Sequence, residues 1–171
     1  SITVVNKNDI YFSIDNGEFQ FSKYALYKFN NISKEIKMFD NKKNLIINKL
    51  YKFDDNTIII SYSKIEGLYY KTMNYIGLFD CKNEEIYPFR FHQDSHKEKI
   101  EYIARSKNKI ITGDEDGYIC LWNLKEKTLI KKLRTCNEMY DLININDDLI
   151  AIATENYILT YNIEKEIQEN I

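Results

Sequence analysis

Four stretches of the chain repeat one pattern, and this recurrence constrains the fold more than any single motif. Each stretch is a Tyr-led apolar run that ends at an aromatic residue, followed by Asn or Asp, a charged break and a second apolar run. The four are YALYKFNNISKEIKMF, YIGLFDCKNEEIYPFRF, YICLWNLKEKTLIKKL and YILTYNIEKEIQENI. Their anchoring aromatics are Phe29, Phe79, Trp122 and Tyr161. The repeating unit is therefore about 40–50 residues long.

The apolar runs have the length of strands. Most span about 4–8 residues between polar clusters, and none keeps a helical stripe over three turns. The chain has 14 Tyr and 9 Phe, and aromatic and β-branched residues favour strands. Because it has only 5 Gly and 1 Pro, Asn, Asp and Lys are expected to make the turns. The sequence predicts an all-β chain with roughly 15 or 16 strands.

Charge and cysteine usage argue against several classes of protein. The net charge is −2 and the pI is near 5.8, which disfavours a strongly basic nucleic-acid surface. Cys81, Cys120 and Cys136 form neither an even set nor a CxxC pair, which favours a reducing compartment. No apolar run approaches the roughly 20 residues that span a bilayer. Since the first residue is Ser, we expect a piece of a longer protein.

The third unit resembles the WD40 repeat family of β-propellers. Its stretch ITGDEDGYICLWN has a strand with a hydroxyl residue, an acidic turn with Gly, and a strand that closes on Trp. The family's Asp after Trp is Asn123 here, and its Gly-His pair is Ser95-His96. The resemblance implies a buried hydrogen-bonded tetrad, which satisfies groups that cost about 1–3 kcal/mol each when unpaired. Its members would be His96, Thr112, Asp116 and Trp122.

The other units keep fragments of this pattern: Ser61 and Phe79 in the second unit and Tyr161 in the fourth. The resemblance implies a β-propeller of four-stranded antiparallel blades, about four of them, within a single segment 1–171. The expected blades are 1–42, 43–93, 94–134 and 135–171. Because propellers have about 4–8 blades, and this family mostly about seven, the remaining blades are expected from the rest of the chain or from a partner. A β-sandwich is the alternative fold.

A long connection in the second unit, residues 63–74, is the candidate partner-binding feature. It replaces the short DEDG turn of the third unit and is expected on the same face as HQDSHK, residues 92–97. Aromatic and basic residues there are typical of binding hot spots. The candidates are Tyr69, Tyr70, Lys71, Arg90 and His92. The alternative is that the tyrosines pack the loop onto its own blade.

Neither a metal nor a cofactor is expected. Cys81, His92 and His96 resemble part of a zinc finger, but a closed structural site needs four ligands and the second Cys is missing. No phosphate-binding glycine loop and no HExxH pair is present. The sequence also offers no convergent set of catalytic residues, so we expect no enzyme.

The resemblance implies a non-catalytic scaffold or adaptor that binds proteins in an intracellular multiprotein complex, in the cytoplasm or nucleus. The alternative is an RNA-processing or ribonucleoprotein component that uses the propeller as a platform. Given the acidic balance, nucleic acid would be contacted only indirectly or weakly. The partner itself is not encoded in any recognisable motif.

Overall fold

The computed structural model describes residues 1–13, 26–39, 45–66, 71–90, 95–135, 137–165 and 167–170. Within these ranges the chain forms sixteen strands: β1 Ile2–Val4, β2 Asp9–Ser13, β3 Leu26–Asn30, β4 Ile36–Phe39, β5 Leu45–Lys52, β6 Thr57–Glu66, β7 Lys71–Asp80, β8 Glu85–Pro88, β9 Ile100–Ser106, β10 Lys109–Asp114, β11 Tyr118–Asn123, β12 Thr128–Arg134, β13 Asp141–Asn144, β14 Leu149–Ala153, β15 Ile158–Asn162 and β16 Ile167–Asn170. No helix with the length and apolarity of a membrane span occurs in the described part of the chain.

The strands form four sheets of four strands, which we number one to four in chain order. In each sheet the strands follow one another in sequence order, and every pairing is antiparallel. The sheets span residues 2–39, 45–88, 100–134 and 141–170, each inside one expected blade range. The prediction of an all-β chain of four-stranded antiparallel units is confirmed. The contacts group the sheets into two compact units, Ser1–Phe89 and Arg90–Ile171.

The anchoring aromatics occupy the same position in all four sheets. Each lies on the third strand, directly opposite an Ile of the second strand. The pairs are Phe29 with Ile10, Phe79 with Ile58, Trp122 with Ile110, and Tyr161 with Ile150. A flat ring facing a β-branched side chain is a favourable cross-strand pair, worth roughly 0.2–1 kcal/mol. The repeat in the sequence is therefore a repeat of register.

The Asn or Asp after each anchor holds the turn into the fourth strand. The side-chain Oδ1 of Asn30, Asp80, Asn123 or Asn162 accepts a backbone N–H two or three residues further on. Such Asx turns replace a backbone turn with a side-chain bond. The fourth residue after the Asn or Asp has a positive φ: 59° at Lys34, 60° at Glu84 and 55° at Lys127. The turns thus form without the usual Gly.

Each unit has its own apolar core between its two sheets. In the compact unit Ser1–Phe89, Tyr11 packs with Ile58, Ile60 and Phe79, and the rings of Tyr11 and Phe79 meet edge to face at 5.8 Å. In the compact unit Arg90–Ile171, side chains of the third sheet pack against side chains of the fourth, and Ile111 and Ile150 are fully buried. Burial of such a side chain contributes about 1.5–3 kcal/mol.

The connection expected over 63–74 is mostly strand. Strand β6 continues to Glu66 and β7 begins at Lys71, with Ser63 opposite Asn74. The buried Ser63 hydroxyl donates to Asn74 Oδ1 at 2.7 Å and accepts from Asn48 Nδ2 at 2.8 Å. These bonds, with the stacked rings of Tyr62 and Tyr75, lengthen the hairpin beyond its counterparts. The prediction of a long loop was wrong at both of its ends.

Candidate functional site

A buried chain of hydrogen bonds crosses the third sheet. The indole N–H of Trp122 donates to Thr112 Oγ1 at 2.8 Å, and Thr112 Oγ1 lies 2.7 Å from His96 Nε2. The other ring nitrogen, His96 Nδ1, lies 2.7 Å from Asp114 Oδ2. The side chains of His96 and Asp114 are 0% and 1% exposed. With Nδ1–H donated to the carboxylate and Thr112 O–H donated to Nε2, each of these polar groups has a partner.

The carboxylate in this network is Asp114, whereas the sequence predicted Asp116. Side chains alternate across a strand, so Asp114 shares the face of Thr112, two residues earlier on β10. Asp116 lies beyond the strand, exposed in the turn that closes with Gly117 N–H donating to Asp114 O at 3.1 Å. Asp114 Oδ1 also accepts the Tyr118 N–H at 2.9 Å. The structure brings together the other three predicted members.

The register explains why the network occurs in the third sheet and not in the described parts of the others. Thr112 lies two residues after the Ile opposite the anchor, and the corresponding residues are Phe12, Ile60 and Ile152. All three are apolar and offer no hydroxyl. Ser61, predicted as a remnant of the pattern, corresponds to Gly113 and points to the opposite face. These positions are filled by apolar packing instead.

The Asp114–His96–Thr112 relay has the geometry of a catalytic triad but not its accessibility. A nucleophilic hydroxyl must be open to substrate and free to lose its proton to the base. Thr112 is 0% exposed and its Oγ1 already accepts the Trp122 N–H. The arrangement can therefore hold strands β10 and β11 to the segment that carries His96, but it presents no reactive group.

Little of the predicted partner-binding patch lies within the described residues. Tyr69, Tyr70 and His92 lie outside them, and Lys71 is described only as the first residue of β7. Arg90 is exposed, and its backbone N–H donates to Lys127 O at 2.8 Å. The patch stays a prediction.

A basic and aromatic cluster that the sequence reasoning missed lies on the outer strand of the third sheet. Lys132 Nζ lies 4.4 Å from the centre of the Tyr118 ring, and Arg134 Cζ lies 5.4 Å from it. Lys132 Nζ also donates to Ser95 O at 3.0 Å. Cations over a tyrosine face gain about 0.5–1 kcal/mol at exposed sites. We call Tyr118, Lys132 and Arg134 the rim cluster; the alternation of Lys132 and Arg134 in β12 was its sequence signal.

The acidic turn before Tyr118 places the carboxylate of Glu115 near the carboxylate of Glu101. The pKa of Glu115 is raised, first by the negative charge of Glu101 and then by partial burial. Lys99 pairs with Glu101 and opposes this effect. The turn is thus a solvated structural feature, and at neutral pH the negative charges of Glu115 and Glu101 repel each other.

The cysteines have no metal-binding surroundings in the ranges that the structure describes, where no group of three or more His, Cys, Asp or Glu could hold an ion. Burial raises the pKa of the Cys120 thiol to about 12, and burial also raises the pKa of Cys81. A thiol with a raised pKa is a poor nucleophile at neutral pH. Cys136 lies outside the described residues.

Comparison with curated proteins gives partial matches. No protein-family model matches the chain. Mitotic checkpoint protein BUB3.3 of Arabidopsis thaliana is 30% identical over 99 residues, 52% of this chain and 31% of that protein. WD repeat-containing protein 55 homolog of Drosophila erecta is 27% identical over 78 residues, 43% of this chain and 16% of that protein. An Alanine--tRNA ligase of Wigglesworthia glossinidia brevipalpis is 28% identical over 137 residues, 78% of this chain but 14% of that enzyme. The chain spans at most 31% of the length of these relatives.

Solved structures give the fold. A chain of the crystal structure of the Mitotic Checkpoint Complex matches with a TM-score of 0.68 at 11% identity. The computationally designed Ika8 protein matches with a TM-score of 0.66 at 16% identity. Each match covers 95% of this chain and 45% of the other chain. Together with the four antiparallel sheets, these matches confirm the predicted β-propeller blades over the alternative sandwich.

Proposed function

Because the chain has β-propeller blades and its third repeat resembles the WD40 family, we propose that it is a non-catalytic scaffold that binds other proteins within an intracellular assembly. The observation that supports this most is the burial of the Asp114–His96–Thr112 relay, which has triad geometry but is closed to substrate. Rigid blades hold exposed loops and strand edges in place, which suits binding. The compartment we propose is the cytoplasm or nucleus.

The contact surface that we propose is the rim cluster. Its Tyr118 ring is half-buried and Arg134 is exposed, so the pair offers a flat apolar face beside a positive charge. Tyr and Arg are the residue types that most often dominate binding energy. A partner segment that brings a carboxylate to Arg134 would gain a charge-assisted hydrogen bond. A second proposed surface is the set of residues that the sequence predicted: Tyr69, Tyr70, Lys71, Arg90 and His92.

A capture experiment with matched variants tests this proposal. The tagged chain, the double variant K132E/R134E and the control K82E/K125E are incubated with lysate, and the bound proteins are quantified by mass spectrometry. Lys82 and Lys125 are exposed in turns after the anchors, so the control makes the same change of charge elsewhere. We expect a discrete set of proteins to bind wild type and control and to be lost at least about tenfold from the rim variant, a change of roughly 1.4 kcal/mol.

Fluorescence of Trp122, the single tryptophan, reports whether the rim variant keeps the fold, because the ring is buried and lies on β11, the strand that carries Tyr118. Equal capture by all three proteins would remove the rim cluster from the proposal. Absence of any protein specific to wild type would remove the scaffold function itself. If the chain turned over a small molecule and Thr112→Val abolished that turnover, an enzymatic function would replace the proposed scaffold function.

The dependence of RNA binding on salt concentration distinguishes the protein-binding scaffold from the alternative function, an RNA-processing or ribonucleoprotein component. Direct contact of Lys132 and Arg134 with phosphates would weaken binding linearly with the logarithm of salt concentration. Filter binding of single-stranded RNA at several salt concentrations measures the slope. Because the chain carries net charge −2, we expect no binding strong enough to show it.

A further inference from the structure

The outer strand of the third sheet is longer than the outer strands of the other sheets. Strand β12 spans 7 residues, Thr128–Arg134, whereas β4, β8 and β16 span 4 residues each. It is an end strand of its sheet, and in the described part of the chain no further strand pairs with its outer edge. Strand β8, by contrast, ends at Pro88, which has no N–H to donate. An open edge of the length of β12 is a template for one more strand.

The register shows which backbone groups of β12 point to this edge. Thr135 N–H donates to Gly117 O at 2.9 Å, directly after the pairing of Arg134 with Tyr118. Backbone groups alternate in direction along an antiparallel pair, so those of Leu133, two residues before Thr135, also point to β11. Those of Lys132 therefore point away from the sheet, where an added strand would bond to them.

The side chains of β12 make this edge positive. The strand reads TLIKKLR, with three cations and no carboxylate. Lys132 and Arg134 both lie over the ring of Tyr118, on one face of the sheet. Leu133 lies on the opposite face and packs against the core of the unit Arg90–Ile171. Because like charges opposite each other destabilise a strand pair, two copies of β12 would pair poorly, whereas an acidic strand complements it.

We propose that a protein partner adds an extended acidic segment to β12 as a fifth strand of the third sheet, a binding mode that rests on the scaffold function proposed above. The segment carries Asp or Glu at alternate positions, next to Lys132 and Arg134, and apolar residues between them, next to Leu133. Its main chain supplies the affinity through ladder bonds, and its carboxylates form charge-assisted hydrogen bonds with the two cations. The other three outer strands differ from β12 in being shorter and in lacking three positive charges.

A peptide selection tests the chemistry of the segment. Random peptides displayed on phage are selected on the wild-type protein and counter-selected on K132E/R134E. The control is K82E/K125E, which makes the same change of charge in exposed turns. We expect the enriched peptides to have Asp or Glu at every second position. They should bind wild type and the control alike, and bind K132E/R134E at least about tenfold more weakly.

The strand geometry is tested on a selected peptide without any change to the protein. N-methylation removes a backbone N–H, and only alternate residues of an added strand point their N–H groups at β12. We expect methylation of one alternate set to weaken binding at least about tenfold and methylation of the other set to leave it unchanged, as measured by fluorescence anisotropy. Amide exchange gives a second measurement. The Lys132 N–H should exchange more slowly with the peptide bound, whereas that of Leu133, which points to β11, should not change.

Equal effects of the two methylated sets, or unchanged exchange at Lys132, would overturn the added strand. So would enriched peptides without alternating acids, or a selection that yields no peptide able to distinguish wild type from K132E/R134E. The capture experiment is independent of these results. Proteins that bind wild type and are lost from the rim variant would support the scaffold function even if the fifth strand is overturned.

Discussion

The sharpest prediction concerns two aspartates that lie two residues apart. Asp114→Ala removes the acceptor of His96 Nδ1–H and of Tyr118 N–H, bonds of 2.7 Å and 2.9 Å. Asp116→Ala removes the same negative charge from an exposed turn. Comparing the two variants therefore separates the loss of buried hydrogen bonds from the loss of one negative charge. It also tests directly which of the two carboxylates belongs to the network.

The magnitude follows from the two donors that Asp114→Ala leaves without an acceptor. A buried donor without a partner costs about 1–3 kcal/mol, so two of them cost about 2–6 kcal/mol. Water can replace the acceptor at the partly buried Tyr118 N–H, which favours the lower half of this range, about 2–4 kcal/mol. For Asp116→Ala we expect a change within about 0.5 kcal/mol, as for most exposed substitutions.

Denaturant unfolding followed by the fluorescence of Trp122 measures both values, because this single tryptophan belongs to the network. Unchanged slopes of free energy against denaturant would show that the two variants differ in stability and not in compactness. Equal destabilisation by the two substitutions would refute the assignment of Asp114. A larger loss for Asp116→Ala would reinstate the carboxylate that the sequence resemblance implied.

Three further predictions test other parts of the structure. Because burial raises the pKa of Cys120 to about 12, iodoacetamide at pH 8 should leave this thiol unmodified in the native chain and label it in denaturant, as read by peptide mass spectrometry. Since the charge of Glu101 raises the pKa of Glu115, Glu115→Gln should raise the melting temperature at pH 7. The gain in melting temperature should vanish as the pH falls through that raised pKa, because the wild-type carboxyl is then already neutral. A gain that persists in acid would contradict this cause. Gly113→Ala should cost roughly 1–3 kcal/mol in a thermal melt, because the added Cβ would lie 2.5 Å from Sδ of the buried Met139, and unchanged stability would show that this side chain can move aside.

The repeat and its consequences were predictable from the sequence. An aromatic residue followed by Asn or Asp recurs because the ring faces an Ile across the strand pair and the side-chain oxygen closes the next turn. Both interactions lie within one hairpin or the turn that follows it, so the aromatic residue and the Asn or Asp recur together in each repeat. The four strand-rich repeats followed from this recurrence, whereas the antiparallel four-stranded blades and three members of the buried network followed from the resemblance to the WD40 family.

The exact end of a strand was the part that the resemblance could not supply. Asp114 and Asp116 both follow Thr112 by an even number of residues, and only the end of β10 at Asp114 decides which one faces His96. Ser61 was misplaced for a different reason: it lies an odd number of residues from Ile58, so its side chain points to the other face of the sheet. The rim cluster was missed because the alternation of Lys132 and Arg134 along β12 indicates only that both lie on one face, and their contacts with Tyr118 form across strands.

Exchange of the Trp122 indole proton is the measurement that tests the central claim most directly, because that claim is a sealed network that serves structure and leaves function to the surface. The indole gives one resonance in a proton–nitrogen NMR spectrum, since the chain has a single tryptophan. With the N–H donated to Thr112 and the ring 3% exposed, we expect exchange with water only through unfolding, at a free energy close to that of denaturation. Rapid exchange under native conditions would mean that solvent reaches Thr112 and His96, and would contradict a purely structural role for them.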